Sequence, residues 1–186
     1  ILPKMAQLAS NSKTGSVIFL SPERRYLVRP PFPIKEGASF RGFFTEPLHS
    51  LLKRDYRIAL ILVRLGAYAI GTTDGDNLAS SKVGTGLVHG RHRQGGSSAH
   101  RFERHRDKQI EYFLNRVCRH AREQMEPQAQ TLDYVVYGGA WTTIQLLQKQ
   151  CPFLGKLDKP ALPSLLDIPE PRQAVLESAI RRVWSS

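Results

Sequence analysis

The run Ile58-Ala59-Leu60-Ile61-Leu62-Val63 is apolar without a break and is closed by Arg64. Leu65-Gly66 follows, and then Ala67-Tyr68-Ala69-Ile70-Gly71-Thr72. Apolar residues that do not alternate suit a strand buried on both faces, and so short a turn brings the chain back antiparallel beside itself. A β-hairpin at the heart of the chain therefore demands a sheet with at least one antiparallel pair. The run is also far shorter than the roughly 20 apolar residues that span a bilayer, so no membrane helix is expected.

The flanking patterns supply the remaining layers. After the turn-rich Thr73 to Asn77, Leu78 to Val88 offers a third strand bounded by Gly86 and Gly90. Phe102, Ile110, Phe113, Leu114, Val117, Cys118, Ala121 and Met125 then form one apolar stripe at helical spacing, capped by Ser97 or Ser98 and stopped by Pro127. On this pattern Phe102 is expected in the core. Leu132 to Tyr137 reads as a strand, Gly138-Gly139 as a turn, and Thr142 to Gln150 as a helix ended by Pro152. Residues 155–170 are Pro-rich and are expected to wrap the surface, and Pro169 to Trp184 closes as an amphipathic helix. The fold class is α/β: a mixed sheet with flanking helices in one main domain, its strand order not derivable from pattern alone.

Residues 1–54 are expected to be a separate strand-rich extension, and 55–186 the main domain. In the extension, Val17 to Leu20 and Tyr26 to Val28 are short strands, and Thr45 caps a helix carrying Leu48, Leu51 and Leu52. Ile1 to Ser10 has no signal-peptide pattern, which gives an intracellular, cytoplasmic reading. Cys118 and Cys151 lack any zinc-knuckle spacing, so no metal is expected and Cys118 is read as a core filler.

Charge points to the partner. The 27 Lys and Arg against 16 Asp and Glu give +11 and a pI near 10.1, a balance common in proteins that follow phosphate backbones. The excess concentrates between His89 and Lys108, where Arg91, Arg93, Arg101, Arg104, Arg106 and Lys108 face only Glu103 and Asp107. His89, His92, His100 and His105 lie in the same stretch, four of the six histidines of the chain. A charge run is ordinarily a solvated helix face. Here Gly95-Gly96 interrupts it just before a helix, an arrangement that lets backbone N–H groups approach a phosphate ester closely.

The segment His89-Gly90-Arg91-His92-Arg93-Gln94-Gly95-Gly96-Ser97-Ser98-Ala99-His100-Arg101-Phe102-Glu103-Arg104-His105-Arg106 resembles the catalytic loop and long helix of the middle domain of eukaryotic and archaeal class I release factors. Members of that family carry Gly-Arg-Gly-Gly-Gln-Ser-Ala-x-Arg-Phe there. The hairpin, the third strand and Tyr137-Gly138-Gly139 fall in the family's order, so the likeness spans roughly Tyr56 to the C-terminus. Ser97 stands where the family has the Gln of Gly-Gly-Gln. In this the chain is similar to the Vms-like release factor branch, peptidyl-tRNA hydrolases of ribosome rescue and quality control whose loop varies. The resemblance implies an RNase-H-like domain without a cofactor that inserts residues 89–98 into the peptidyl-transferase centre of the large ribosomal subunit.

Cleavage of a peptidyl-tRNA ester needs a placed water and donors for the developing oxyanion. Gln94 is the natural residue to orient the water, with backbone N–H groups of Gly95, Gly96 and Ser97 serving the oxyanion. His89, Arg91, His92, Arg93, Arg101, Arg104, Arg106 and Lys108 are the RNA contacts. Ser97 has a bland role as helix N-cap and lacks a nearby carboxylate-oriented His for a nucleophilic role. The alternative is a non-catalytic ribosome- or tRNA-binding factor, in an occupancy or hibernation role, that has lost the Gly-Gly-Gln glutamine. A third reading makes His89 and His92 the bases of a metal-independent ribonuclease. Oligomeric state is not legible.

Overall fold

The computed structural model describes residues 2–90 and 99–185. Two compact units divide them: the residues up to Asp55 together with those from Arg181 onward, and Tyr56–Ile180.

The larger unit is built on a four-stranded mixed sheet. Strands β3 (Ile58–Arg64), β4 (Ala67–Asp74) and β5 (Asn77–Thr85) follow one another antiparallel, and β6 (Tyr134–Gly139) returns parallel to β3, giving the order β5-β4-β3-β6. The turn between β3 and β4 rests on Gly66 at φ +99°, a conformation that favours glycine. Because β3 is central, its six residues Ile58 to Val63 are all buried, which is why its sequence does not alternate.

Each face of the sheet has its own cover. Ala59, Ile61, Val63, Tyr68 and Ile70 share one cluster with Phe113, Leu114, Val117, Ala121 and Met125 of the long helix α3 (Ala99–Met125). Ile144 and Leu147 of α4 (Trp141–Gln150) and Phe153 and Leu154 of α5 (Pro152–Lys156) complete it. On the other face, a Cβ added at Gly71 would lie 2.9 Å from Cδ2 of Leu176, a buried residue of α6 (Gln173–Trp184). A mixed sheet flanked by helices is thus the observed class.

Three expectations are corrected here. Residues 155–170 do not merely wrap the surface: Ala161 and Leu166 bridge Val135 and Gly138 along the outer edge of β6, and Leu162, Leu166 and Ile168 are buried. Gly138-Gly139 ends strand β6 and is not a separate turn; Gly138 has room for no side chain, since a Cβ would meet Leu62 Cδ2 at 2.7 Å. Cys118 is a half-buried disulfide partner of Cys151, with 5.5 Å between their Cα atoms, so the bond ties the C-terminal half of α3 to the junction of α4 and α5.

The smaller unit contains α1 (Leu2–Ser10), an element not anticipated from the sequence, the hairpin β1 (Val17–Leu20) and β2 (Arg25–Val28), and α2 (Glu46–Lys53). Phe32 is fully buried and meets the Trp184 ring edge-on at 4.8 Å. Thr45 precedes α2 with helical backbone angles and makes no side-chain cap, contrary to expectation, because capping geometry requires an extended backbone at that position. Among the described residues no helix is long and apolar enough to cross a membrane.

Candidate functional site

Helix α3 has 27 residues, about 40 Å at 1.5 Å per residue, whereas the nine residues of β5 reach only about 30 Å. A helix longer than the sheet beneath it must overhang. The excess lies at the N-terminal end: Phe113 is the first fully buried residue, Ile110 is half-buried, and residues 100–105 are exposed. Phe102 is 56% exposed, so the expectation of a core role is overturned.

The strand that leads into the 89–98 segment is laid along one stripe of this helix. Arg116 donates from Nη1 to the Thr85 carbonyl oxygen at 2.9 Å. Gly86 lies so close to Phe113 that an added Cβ would be 2.7 Å from Cδ2. Gln109 accepts the His89 N–H through Oε1 at 3.1 Å, and Arg106 donates from Nε to the His89 carbonyl oxygen at 3.0 Å. Positions 106, 109, 113 and 116 are spaced by three, four and three residues, which puts them on one face of an α-helix. Val88 packs against the core and Leu87 faces out, 72% exposed. The segment Thr85–His89 is therefore zipped antiparallel onto α3, and the chain is delivered to the overhanging end of the helix.

The polar residues of this end fall into two sets. Arg101, Arg104 and Lys108, spaced by three and four, form a second stripe and are exposed. Arg104 Nε bonds the His100 carbonyl oxygen at 3.3 Å, and His100 Nδ1 lies 3.9 Å from Glu103, a solvent-screened pair of little energetic weight. Arg106 is half-buried and engaged with the backbone of His89, while the rings of His89 and His105 lie 6.4 Å apart. Of the anticipated RNA contacts, the structure thus brings Arg101, Arg104 and Lys108 together on an open face and turns Arg106 toward His89. Arg91, His92, Arg93, Gln94, Gly95, Gly96 and Ser97 lie outside the described residues. Gln109 and Arg116 escaped sequence reasoning; their spacing from Phe113 was the available signal.

Behind this end the support is aromatic. Tyr68 is buried, 6.1 Å from the Phe113 ring and stacked on His120 at 5.7 Å, and His120 Nδ1 meets Glu123 Oε2 at 2.8 Å. Burial pushes the Tyr68 hydroxyl above its ordinary pKa of 10.0, against the lowering pull of Arg116 and Arg119. A Cβ at Gly84 would lie on top of the Tyr68 hydroxyl, at 2.2 Å. Among the described residues no group of three His, Cys, Asp or Glu side chains is placed to hold a metal ion.

Residues 56–186 match the family model described as Actinobacteria/chloroflexi VLRF1 release factor. The chain is also similar to peptide chain release factor subunit 1 of Methanocaldococcus jannaschii, 32% identical over 154 residues that make up 75% of this chain and 36% of that protein. Its counterpart in Aeropyrum pernix is 25% identical over 177 residues, 90% of this chain and 48% of that one. The chain thus spans half or less of the length of these relatives. Among solved structures, an archaeal translation termination factor, aRF1, shares the fold with a TM-score of 0.52 and 21% identity, covering 91% of this chain and 50% of that one.

Proposed function

Given that the chain belongs to the Actinobacteria/chloroflexi VLRF1 release factor family, we propose that it is a peptidyl-tRNA ester hydrolase that acts on stalled large ribosomal subunit complexes in ribosome rescue. The observation that carries this reading is the overhang of α3, with the chain zipped onto it from Thr85 to His89. Such a stem holds His89 at the exposed end of the helix, where a loop that has to reach a catalytic centre made of RNA would begin. Arg101, Arg104 and Lys108 on the open stripe supply cations for tRNA or ribosomal RNA phosphates, and each neutralised phosphate releases counterions.

In this proposal Gln94 orients the attacking water through its side-chain carbonyl, and backbone N–H groups of Gly95, Gly96 and Ser97 stabilise the oxyanion. Water attacks the ester carbonyl carbon, the bond to the ribose oxygen breaks, and a proton from the water passes to that oxygen, which leaves as the ribose hydroxyl. The partners are the large subunit and its peptidyl-tRNA, the compartment is the cytoplasm, and residues 1–54 are an extension outside the catalytic domain. Nothing in the proposed chemistry calls for a cofactor.

Single-turnover release of labelled peptide from isolated large subunits tests it, with the Gln94→Ala variant alongside. Release that vanishes in the variant supports the assignment. Release that persists removes Gln94 and transfers the role to another residue of the loop. Ser97 at the position of the family's glutamine specifically favours a second reading, a non-catalytic occupant of the peptidyl-transferase centre; binding to the subunit without any release is its signature.

A further inference from the structure

The smaller unit exposes an aromatic surface that the release-factor reading does not use. Strands β1 and β2 pair with Phe19 opposite Tyr26, so both rings stand on one face of a two-stranded sheet. Phe43 comes to 5.5 Å from Phe19, and Phe40 and Phe44 pair at 4.5 Å. These rings do not build a dry core: Tyr26 is 52% exposed, Phe40 54% and Phe43 83%. Arg24, in the hairpin turn two residues before Tyr26 in sequence, and Arg41, between Phe40 and Phe43 in sequence, are exposed. The first 55 residues hold nine Lys and Arg against four Asp and Glu, one of which, Glu23, is also in the hairpin turn.

Nine cationic against four acidic side chains in these residues favour a polyanion as the ligand of the open rings, and a duplex keeps its base faces stacked inside. An unpaired strand presents both a π-face for each ring and a phosphate for each cation, and needs no particular sequence. We propose that the β1–β2 face with residues 40–44 is a binding platform for single-stranded RNA, with Tyr26 and Phe43 as stacking surfaces and Arg24 and Arg41 as phosphate contacts. The platform is independent of the hydrolase reading and stands or falls separately from it.

The test is fluorescence anisotropy of the full chain with a short mixed-sequence single-stranded RNA and with a duplex of equal length, at one fixed salt concentration. Phe43→Leu and Tyr26→Leu keep apolar area but remove the ring; Phe43→Tyr and Tyr26→Phe keep the ring. Loss of one base–ring stack is worth about 1–3 kcal/mol, so each Leu variant is expected to weaken single-strand binding by roughly 5- to 150-fold while the aromatic variants bind as the parent does. Duplex affinity, carried by cations elsewhere, is expected to stay within about twofold. The proposal is overturned if Leu and aromatic variants bind the single strand equally, or if the Leu variants lose duplex and single strand alike. It is overturned too if Phe43→Asp dissociates a dimer detected by sedimentation, since the rings would then be covered by a second copy.

Discussion

The Nε of Arg106 donates to the carbonyl oxygen of His89 at 3.0 Å while Gln109 accepts the N–H of the same residue. Both backbone polar groups of His89 are thus held by side chains one turn apart on α3, and the peptide entering the 89–98 segment is fixed in position by the helix that follows it. Removing either side chain leaves the core untouched, because neither residue belongs to it. Arg106→Ala and Gln109→Ala are therefore expected to change stability by no more than about 1 kcal/mol, yet to slow single-turnover peptide release about tenfold through misplacement of the reacting groups. Arg101→Ala, Arg104→Ala and Lys108→Ala should behave differently, weakening subunit binding and each flattening the slope of log affinity against log salt by about one. A salt titration beside the release assay separates the two groups; identical behaviour would refute the division between positioning and phosphate-binding side chains.

Gly139 ends β6 at φ +117°, and a Cβ there would lie 2.0 Å from the carbonyl oxygen of Val63, its partner in the parallel ladder. Strain and overlap both act against any side chain. Gly139→Ala should cost several kcal/mol, at the upper end of the usual range for a single substitution. Gly155→Ala, inside α5 with nothing within 4 Å of the added carbon, should be neutral or slightly stabilising. Urea denaturation of both variants provides the comparison, and a Gly139→Ala protein as stable as the parent would refute the packing described at the end of β6.

The Tyr68 hydroxyl makes stability depend on alkaline pH. Burial raises its pKa in the folded state above the ordinary 10.0, so the folded protein holds this proton more tightly than the unfolded chain does. The contribution is complete below the unfolded pKa and is lost as pH rises through 10.0 toward the folded value. Tyr137 acts in the same direction, its pKa raised by burial against a lowering hydrogen bond from Gln148. The urea midpoint should fall as pH rises above about 10, and Tyr68→Phe should make that fall shallower. An unchanged pH profile in the variant would assign the loss to other groups.

The sheet was legible because its signals are local. The unbroken run from Ile58 to Val63 reports burial on both faces, and Gly66 marks the turn, so β3 and β4 follow from pattern alone. The parallel pairing of β6 with β3 was not legible, since register between distant strands depends on which faces remain to be covered. Phe102 misled because a stripe at helical spacing tells which way a residue faces and not how deeply it is buried. The ladder of Arg106, Gln109 and Arg116 was hidden for a related reason: a basic run reads as phosphate-binding, and only coordinates show that Arg106 and Arg116 are occupied by backbone carbonyls. Residues 155–170 misled through their prolines, which mark a segment without regular structure but do not prevent Leu162, Leu166 and Ile168 from being buried.

Cys118 and Cys151 offer the last test. They are 33 residues apart in sequence, and their bond joins the C-terminal half of α3 to the residue between α4 and α5. Closing a loop of that size restricts the unfolded chain by about 3–4 kcal/mol in the chain-entropy account. The bond lies well down α3 from the overhanging end, so its loss should loosen the helical layer before it alters the His89 stem. A dithiol reductant should lower the unfolding free energy obtained from urea denaturation by that amount, and Cys118→Ala with Cys151→Ala should reproduce the reduced value and abolish the response to reductant. In the cytoplasmic setting proposed for the protein, glutathione holds most thiol pairs reduced. The reduced form must therefore be folded at growth temperature if the proposal is to stand, and circular dichroism of the reduced protein decides it.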